Sequence, residues 1–442
     1  MLVDNLVGPG ASLAPTLGSQ LSVLTWNILL PNSVDGWWTY KMYSPQVDLE
    51  VPSWEYRKKL LKDRIGIINA DVVCLQETST ASFDTDFDFM EDLGYDGHEM
   101  FKKGRFRPVT FWKTKHCRLV TPAVHKDRCL ITAFEKVREQ EAERSHQPPY
   151  WYIANCHLQA GQQGPRRVRQ ILEGIKGVIT LARKQKEDEP EKNVRLIVCG
   201  DFNGGPESGA IRLMENGFID NEFLEDGEPV SSGRKELPLT KPLRDASAAV
   251  TSREPPPTLV VAELMSTLME TATYADPKLS KEMIERLGRI YDRLATGSDG
   301  KMSKCDVEDW LLKINRELNR GDEFRNAAKA MGFIDANPND PWEVRKKRLQ
   351  LPDNGILTRE GFIEVYQKEL SGGKFWGIAH DMELLGDPLP DKGVFMSRFD
   401  RIYYNDQSIQ PVTVLDTVSG VPCPNDKEPS DHLPVAAVFS VT

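Results

Sequence analysis

The apolar run Leu196-Ile197-Val198-Cys199 ends on Gly200-Asp201-Phe202-Asn203. No polar residue alternates through it, so it reads as a strand buried on both faces. That commits the chain to a sheet covered on each side. Residues i and i+2 of an extended chain point the same way, so Asp201 and Asn203 face one site together. Gly204-Gly205-Pro206 then turns the backbone away. A carboxylate beside an amide at a strand mouth suits holding water or a metal ion next to a phosphate. An Asx turn capping the strand uses the same residues, and the rest of the chain has to decide.

Similar runs recur. Residues 21–29, 71–77, 109–112, 129–134, 150–158, 398–404 and 434–441 read as strands, rich in β-branched and aromatic residues. Helices are predicted over 53–69, with Ser53 as cap, over 165–186 and over 208–216, from apolar positions at helical spacing. Helices alternating with short hydrophobic strands make an α/β pattern. The pattern breaks at Glu254-Pro255-Pro256-Pro257-Thr258. Beyond it, helical stretches are predicted at 259–272, 279–295, 303–318, 322–331, 341–349, 358–370 and 375–385, and strand signals return only at Val394. With 442 residues, more than one core is expected. The division is a disordered lead-in at 1–20, an α/β domain over 21–254 and 391–442, and an all-α domain inserted at 255–390.

The formal net charge of -10 argues against gripping long duplex nucleic acid through a broad basic face. The seven cysteines are scattered and form no Cys-x-x-Cys pair, which favours a reducing compartment over disulfides or zinc. No secretory signal and no stretch long enough to cross a bilayer is visible, so a cytoplasmic protein is expected.

The predicted strand ends carry Asn27, Glu77, His157, Asp201, Asn203, Asp400 and the pair Asp431-His432. So many acids, amides and imidazoles at strand ends are hard to explain as packing. Ligands in α/β proteins gather there, and this donor set suits Mg²⁺ or Mn²⁺ rather than zinc. Lys102-Lys103-Gly104-Arg105-Phe106-Arg107 offers cations around an aromatic ring for phosphate or base contact, though such a run also serves as a solvated loop.

Taken in order, Trp26-Asn27, Gln76-Glu77, Asn155-Cys156-His157-Leu158, Gly200-Asp201-Phe202-Asn203, Phe399-Asp400-Arg401-Ile402 and Ser430-Asp431-His432 resemble the motifs of the endonuclease/exonuclease/phosphatase superfamily. Trp54-Glu55-Tyr56-Arg57-Lys58-Lys59 ahead of Gln76-Glu77 resembles its Ccr4/nocturnin-like deadenylase branch. The resemblance implies a four-layer α/β/β/α sandwich and hydrolysis of phosphodiesters by metal-assisted attack of water. It implies Glu77 as the main Mg²⁺ ligand, with Asn27 beside it and Asp431 at a further metal or water position. Asp201 would orient or deprotonate the water, Asn203 would hold water or phosphate, and His157 would donate to a phosphate oxygen. Asp400 would pair with His432 and favour its charged form. Arg167 and Gln170 resemble the family's helix-borne polar pair, and join Arg105 and Arg107 as substrate contacts. One departure is Asn-Cys-His, where many relatives have Asn-Thr-His.

In the insertion, Asp299-Gly300-Lys301-Met302 and Asn354-Gly355-Ile356-Leu357 resemble the centres of EF-hand loops. Placing Gly300 at the sixth position leaves Asp299 and Asp306 as the calcium donors, with Ala295 first and Gly297 third. The second loop lacks the first and last acids, so a degenerate, structural pair is the reading, and a site for a protein partner the remaining use. RNA or a nucleotide chain is the expected substrate. The alternatives are a small phosphoester (dinucleotide, inositol phosphate or phospholipid headgroup) and a catalytically silent binding module.

Overall fold

The computed structural model describes residues 3–7, 13, 19–137, 150–270, 276–297 and 299–442. The chain forms two compact units. The first comprises Met1–Trp37, Leu49–Val261 and Val394–Thr442, the second Trp38–Asp48 and Ala262–Gly393.

The first unit is mixed α/β, with two large sheets. Sheet one takes β1 (Val3–Val7), β2 (Gln20–Asn27), β3 (Val72–Thr78), β4 (Gly97–Met100) and β5 (Arg107–Trp112). The next strands build sheet two: β6 (Cys117–Leu119), β7 (Val124–Lys126), β8 (Cys129–Lys136), β9 (Trp151–His157), β10 (Arg195–Asp201), β11 (Arg244–Asp245) and β12 (Asp400–Tyr404). The chain then returns to sheet one through β13 (Ile409–Val418) and β14 (Val435–Val441). Sheet one runs β1-β13-β14-β2-β3-β5-β4, and sheet two β11-β12-β10-β9-β8-β6 with β7 paired to β8.

The unbroken apolar runs have a simple cause. Along β10, Ile197 and Cys199 face a core shared with Val23, Cys74 and Ala437 of sheet one. Leu196 and Val198 face the opposite way, onto α2 (Gly164–Lys184) and α3 (Gly209–Asn216). Along β2, Leu21 and Val23 face the shared core, while Leu24 and Trp26 pack with Leu61, Ile65 and Ile68 of α1 (Trp54–Ile68). Both sides of each strand are therefore apolar. Ser53 caps α1 as expected, accepting from Tyr56 N–H at 3.2 Å.

Two expectations are corrected here. The lead-in at 1–20 contains β1, paired antiparallel with β13, although residues 1–2, 8–12 and 14–18 of that stretch lie outside the described set. The predicted helix at 259–272 begins instead as an extended strand, Leu259–Ala262, in which Val260 N–H donates to Asp431 O and Val260 O accepts from Cys423 N–H. Its end, 271–272, lies outside the described residues.

The second unit packs α4 (Lys281–Leu294), α5 (Lys304–Asn315), α6 (Gly321–Ala330), α8 (Arg359–Ser371) and α9 (Phe375–Leu384) around one apolar core; α7 (Trp342–Arg348) has no buried residue. The segment Trp38–Asp48, outside the predicted 255–390 boundaries, belongs to this unit. Its Lys41 is buried between Glu323 (2.8 Å) and Asp381 (3.1 Å). Met302 and Leu357 exchange backbone hydrogen bonds, which joins the loops around Gly300 and Gly355. The Asp306 carboxylate is occupied by Ser303 N–H and Oγ, both at 2.8 Å, and by Thr296 Oγ1 at 2.6 Å. Asp299 accepts from Lys301 N–H at 3.2 Å.

Candidate active site

Three neighbouring strands of sheet two put end residues in a row, the last of β9 and β10 and the first of β12. Asp201 lies opposite His157 on β9 and opposite Asp400 on β12. On sheet one, Asn27 pairs with Gln76, and Glu77 follows in a left-handed backbone conformation (φ 64°) where the ladder with β5 shifts register. A bulge of this kind re-aims a side chain at a sheet edge. Asn27 then links the sheets. Its Nδ2 donates to Asp201 Oδ2 at 2.9 Å and to Glu77 Oε1 at 3.3 Å, while its Oδ1 accepts from Leu29 N–H at 3.1 Å. The Leu29 donor fixes the amide's orientation, so Asn27 presents nitrogen, not oxygen, to the two carboxylates.

Asp201 Oδ1 accepts from Asn203 N–H at 2.8 Å, and Oδ2 from Asn203 Nδ2 at 3.0 Å. The Asx turn offered by Gly-Asp-Phe-Asn is therefore present, and it is part of the site rather than an alternative to it. Burial pushes the Asp201 carboxyl above its ordinary range, with His432 pulling the other way. His157 Nε2 stands 3.7 Å from both Glu77 Oε1 and Asp201 Oδ2, too far for hydrogen bonds. Its Nδ1 is buried without a partner among the described residues. Burial holds its pKa down at about 4, so the ring is neutral at neutral pH and free to donate.

Asp400 Oδ2 meets His432 Nδ1 at 2.7 Å. Burial works against the His432 cation, but Asp400, Asp201 and Asp431 outweigh it and raise the pKa well above the usual value. The backbone around His432 is held as well. Trp26 Nε1 donates to His432 O at 2.8 Å, and Ser430 Oγ donates to Asn27 O at 2.7 Å. Thr258 Oγ1 accepts from the Phe399 and Asp400 amides at 3.0 and 2.9 Å.

The helix-borne pair takes a different place. Arg167 is buried, donating to Gln159 O at 2.8 Å and pairing with Glu225. Gln170 accepts from Gln159 N–H at 3.0 Å. Both brace the loop after β9 instead of facing open space, a correction to their expected substrate contact. Arg107 lies opposite Thr78, one residue past Glu77, but its Nε donates to Gly104 O at 2.6 Å; Arg105 pairs with Asp35 at 3.0 Å. Sequence reading also missed Arg57. Its fully buried guanidinium donates to the carbonyls of Ile28, Leu29, Leu30 and Pro429, which pins the turns after Asn27 and before Ser430. The available signal was its place in the stretch Trp54-Glu55-Tyr56-Arg57-Lys58-Lys59 that carries the branch resemblance.

The donor chemistry fits a hard cation. Glu77 and Asp431 are the partly exposed carboxylates of the set, Glu77 and Asp201 act electrostatically on Asp431, and Asp400 Oδ1 is buried without a partner among the described residues. Asp201, Asp400 and His432 place ligand atoms within 4.8 Å of one another, yet a protonated His432 donates and does not ligate.

Comparison with known proteins agrees with this arrangement. The chain is 25% identical over 268 residues to the CCR4-Not complex 3'-5'-exoribonuclease subunit Ccr4 of Schizosaccharomyces pombe, covering 49% of this chain and 38% of that protein. It is 29% identical over 205 residues to nocturnin of Homo sapiens, covering 43% and 45%. The chain thus spans less than half of these relatives' lengths. Among solved structures, ANGEL2, a 2',3'-cyclic phosphatase, in complex with adenosine-2',3'-vanadate, shares the fold with a TM-score of 0.52 at 15% identity, over 99% of each chain. Residues 24–432 match the Endonuclease/Exonuclease/phosphatase family. The chain belongs to that family, near its Ccr4/nocturnin branch.

Proposed function

We propose that this protein is a Mg²⁺-dependent phosphoric ester hydrolase, acting as a nuclease on RNA or nucleotide chains. The observation that carries the reading is the convergence of Asp201, the Asp400–His432 pair and neutral His157 on Glu77. A phosphodiester is already anionic, so water attacks only where cations and donors offset the growing charge. Glu77 would hold the cation, with Asn27 orienting its carboxylate and Asp431 at the margin. A bound Mg²⁺ or Mn²⁺ would supply charge neutralisation at the phosphate. Asp201, fixed by Asn27 and Asn203, orients the water and takes its proton. His157 donates to a non-bridging phosphate oxygen, and the charged His432, held by Asp400, opposes the charge of the transition state. Asn203 fixes Asp201 and borders the water.

Two finer readings go with this. The three stacked cores support a four-layer α/β/β/α sandwich, and the joined loops support a degenerate EF-hand-like insertion that keeps its fold without calcium. The described cysteines are all free, and no helix among the described residues is long and apolar enough to cross a membrane; the free thiols support a reducing compartment such as the cytoplasm.

A small phosphoester remains the second reading, because Arg105 and Arg107 are already hydrogen-bonded within the protein and the net charge is -10. A panel of oligo(A), mixed RNA, DNA, dinucleotides and inositol phosphates with Mg²⁺ separates the two. Hydrolysis of RNA that falls on the order of 10² or more in Glu77→Ala is expected. Equal turnover in that variant, or no turnover of any substrate by the wild type, overturns the assignment.

A further inference from the structure

Strands β7 and β8 are joined by two residues, Asp127 and Arg128, since Lys126 pairs with Cys129. Both joining residues have positive φ, 27° and 70°. Such hairpin turns ordinarily take Asn-Gly or Gly-Gly, because a side chain at the second position is strained. Here an arginine occupies it. The turn is also clamped. Arg169 reaches Asp127 Oδ2 at 3.0 and 3.1 Å, Gln170 reaches Asp127 Oδ1 at 3.4 Å, and His157 N–H donates to Arg128 O at 3.1 Å. Cys129 lies opposite Cys156, so Arg128 runs alongside His157 at the strand end of the site.

The Arg128 side chain is half-buried, yet among the described residues it has no hydrogen-bond or ion-pair partner. The charges around it place it in the site. Burial and the neighbouring Arg166 lower its pKa, while Asp127, Glu77 and Asp201 oppose them. A guanidinium has many donors and stays charged. One that is strained, clamped and unpaired beside three site residues has a vacancy for an anion. Arg166, exposed in the first turn of α2, offers a second fork next to it.

We propose that Arg128 grips a non-bridging oxygen of the scissile phosphate, and that Arg166 takes a second phosphate one linkage away. The inference rests on the phosphoester-hydrolase reading and narrows its substrate class to molecules with two neighbouring phosphates. A polynucleotide backbone and a nucleoside diphosphate both meet this requirement.

The test compares wild type, Arg128→Gly, Arg128→Lys and Arg166→Gln with Mg²⁺ on a trinucleotide, a dinucleoside monophosphate and a nucleoside diphosphate. Glycine suits the positive φ, so Arg128→Gly should match or exceed the wild-type Tm. Its kcat/KM should nonetheless fall on the order of 10–100-fold on all substrates that the wild type cleaves. Arg128→Lys should recover only part, because lysine lacks the planar fork. Arg166→Gln should shrink the preference for a second phosphate, and whether that occurs on the trinucleotide or the diphosphate identifies the source. Calorimetric titration with inorganic phosphate gives a readout apart from turnover, and Arg128→Gly should weaken that binding by about tenfold. If the wild type cleaves nothing but loses phosphate binding in Arg128→Gly, the hydrolase reading falls and the anion site stands. Phosphate binding and turnover within about threefold of wild type in Arg128→Gly overturn the proposal.

Discussion

At the scale of single residues, the site works by assigning opposite charge states to its two imidazoles. His157 is kept neutral by burial, and His432 is kept charged by the acids around it, Asp400 first among them. The sign of the His432 effect is definite. Its folded pKa is raised, so the interaction is fully present below the ordinary histidine range and lost only as pH climbs through the raised value. Asp400→Asn removes the main opposing charge. The alkaline limb of the kcat/KM profile should then move to lower pH, by roughly one unit or more, with activity at pH 8 falling further than at pH 6. An alkaline limb that stays in place would count against a cationic role for His432. These polar strand ends were legible in the sequence because each borders a strand-like run, after it at Asn27, Glu77, His157 and Asp201 and before it at Asp400 and Asp431-His432. The hydrogen-bond directions were not. At Asn27, Oδ1 takes the Leu29 N–H while Nδ2 faces the two carboxylates, a division that no sequence pattern announces.

At the scale of elements, α1 does more than cover sheet one. Through Arg57 it holds the turn leaving β2 and the segment entering the Ser430-Asp431-His432 motif, which are far apart in sequence. Replacing Arg57 by alanine strips several buried carbonyls of their donor. At about 1–3 kcal/mol for each unsatisfied group, a loss of at least roughly 3 kcal/mol is expected in urea denaturation. A loss below about 1 kcal/mol would show that water takes over the task. Sequence reading found α1 by its cap and spacing but not this arginine, since a cation in an amphipathic helix reads as solvent-facing. It missed β13 for a related reason: Pro411 and Asp416 interrupt the strand pattern, and Asp416 is matched by Ser247 and Arg398 from distant positions. It missed β1 because Gly and Pro surround it.

At the scale of the molecule, the second unit depends on a piece of chain that precedes it by more than two hundred residues. Burial works against the Lys41 cation, but Asp381 and Glu323 outweigh it and keep it charged. Lys41→Met leaves both carboxylates buried without their cation, and should destabilise this unit by about 3–5 kcal/mol in urea denaturation followed by far-UV circular dichroism. An unchanged midpoint would mean that the pair is redundant. No local pattern could have announced this contact, because an ion pair between distant segments leaves no periodicity in either.

The route of the chain through the two sheets carries a consequence for the protein's synthesis. Sheet one is begun by β1 to β5 and finished only by β13 and β14, with β2 paired between β3 and β14. A nascent chain that has not yet reached His432 holds Asn27, Glu77, His157 and Asp201 but lacks the Asp400–His432 pair, and β2 lacks one neighbour. Under the proposed roles, synthesis of the last strand is what completes the site: the proposed metal ligand Glu77 is made long before the imidazole that would oppose the transition-state charge.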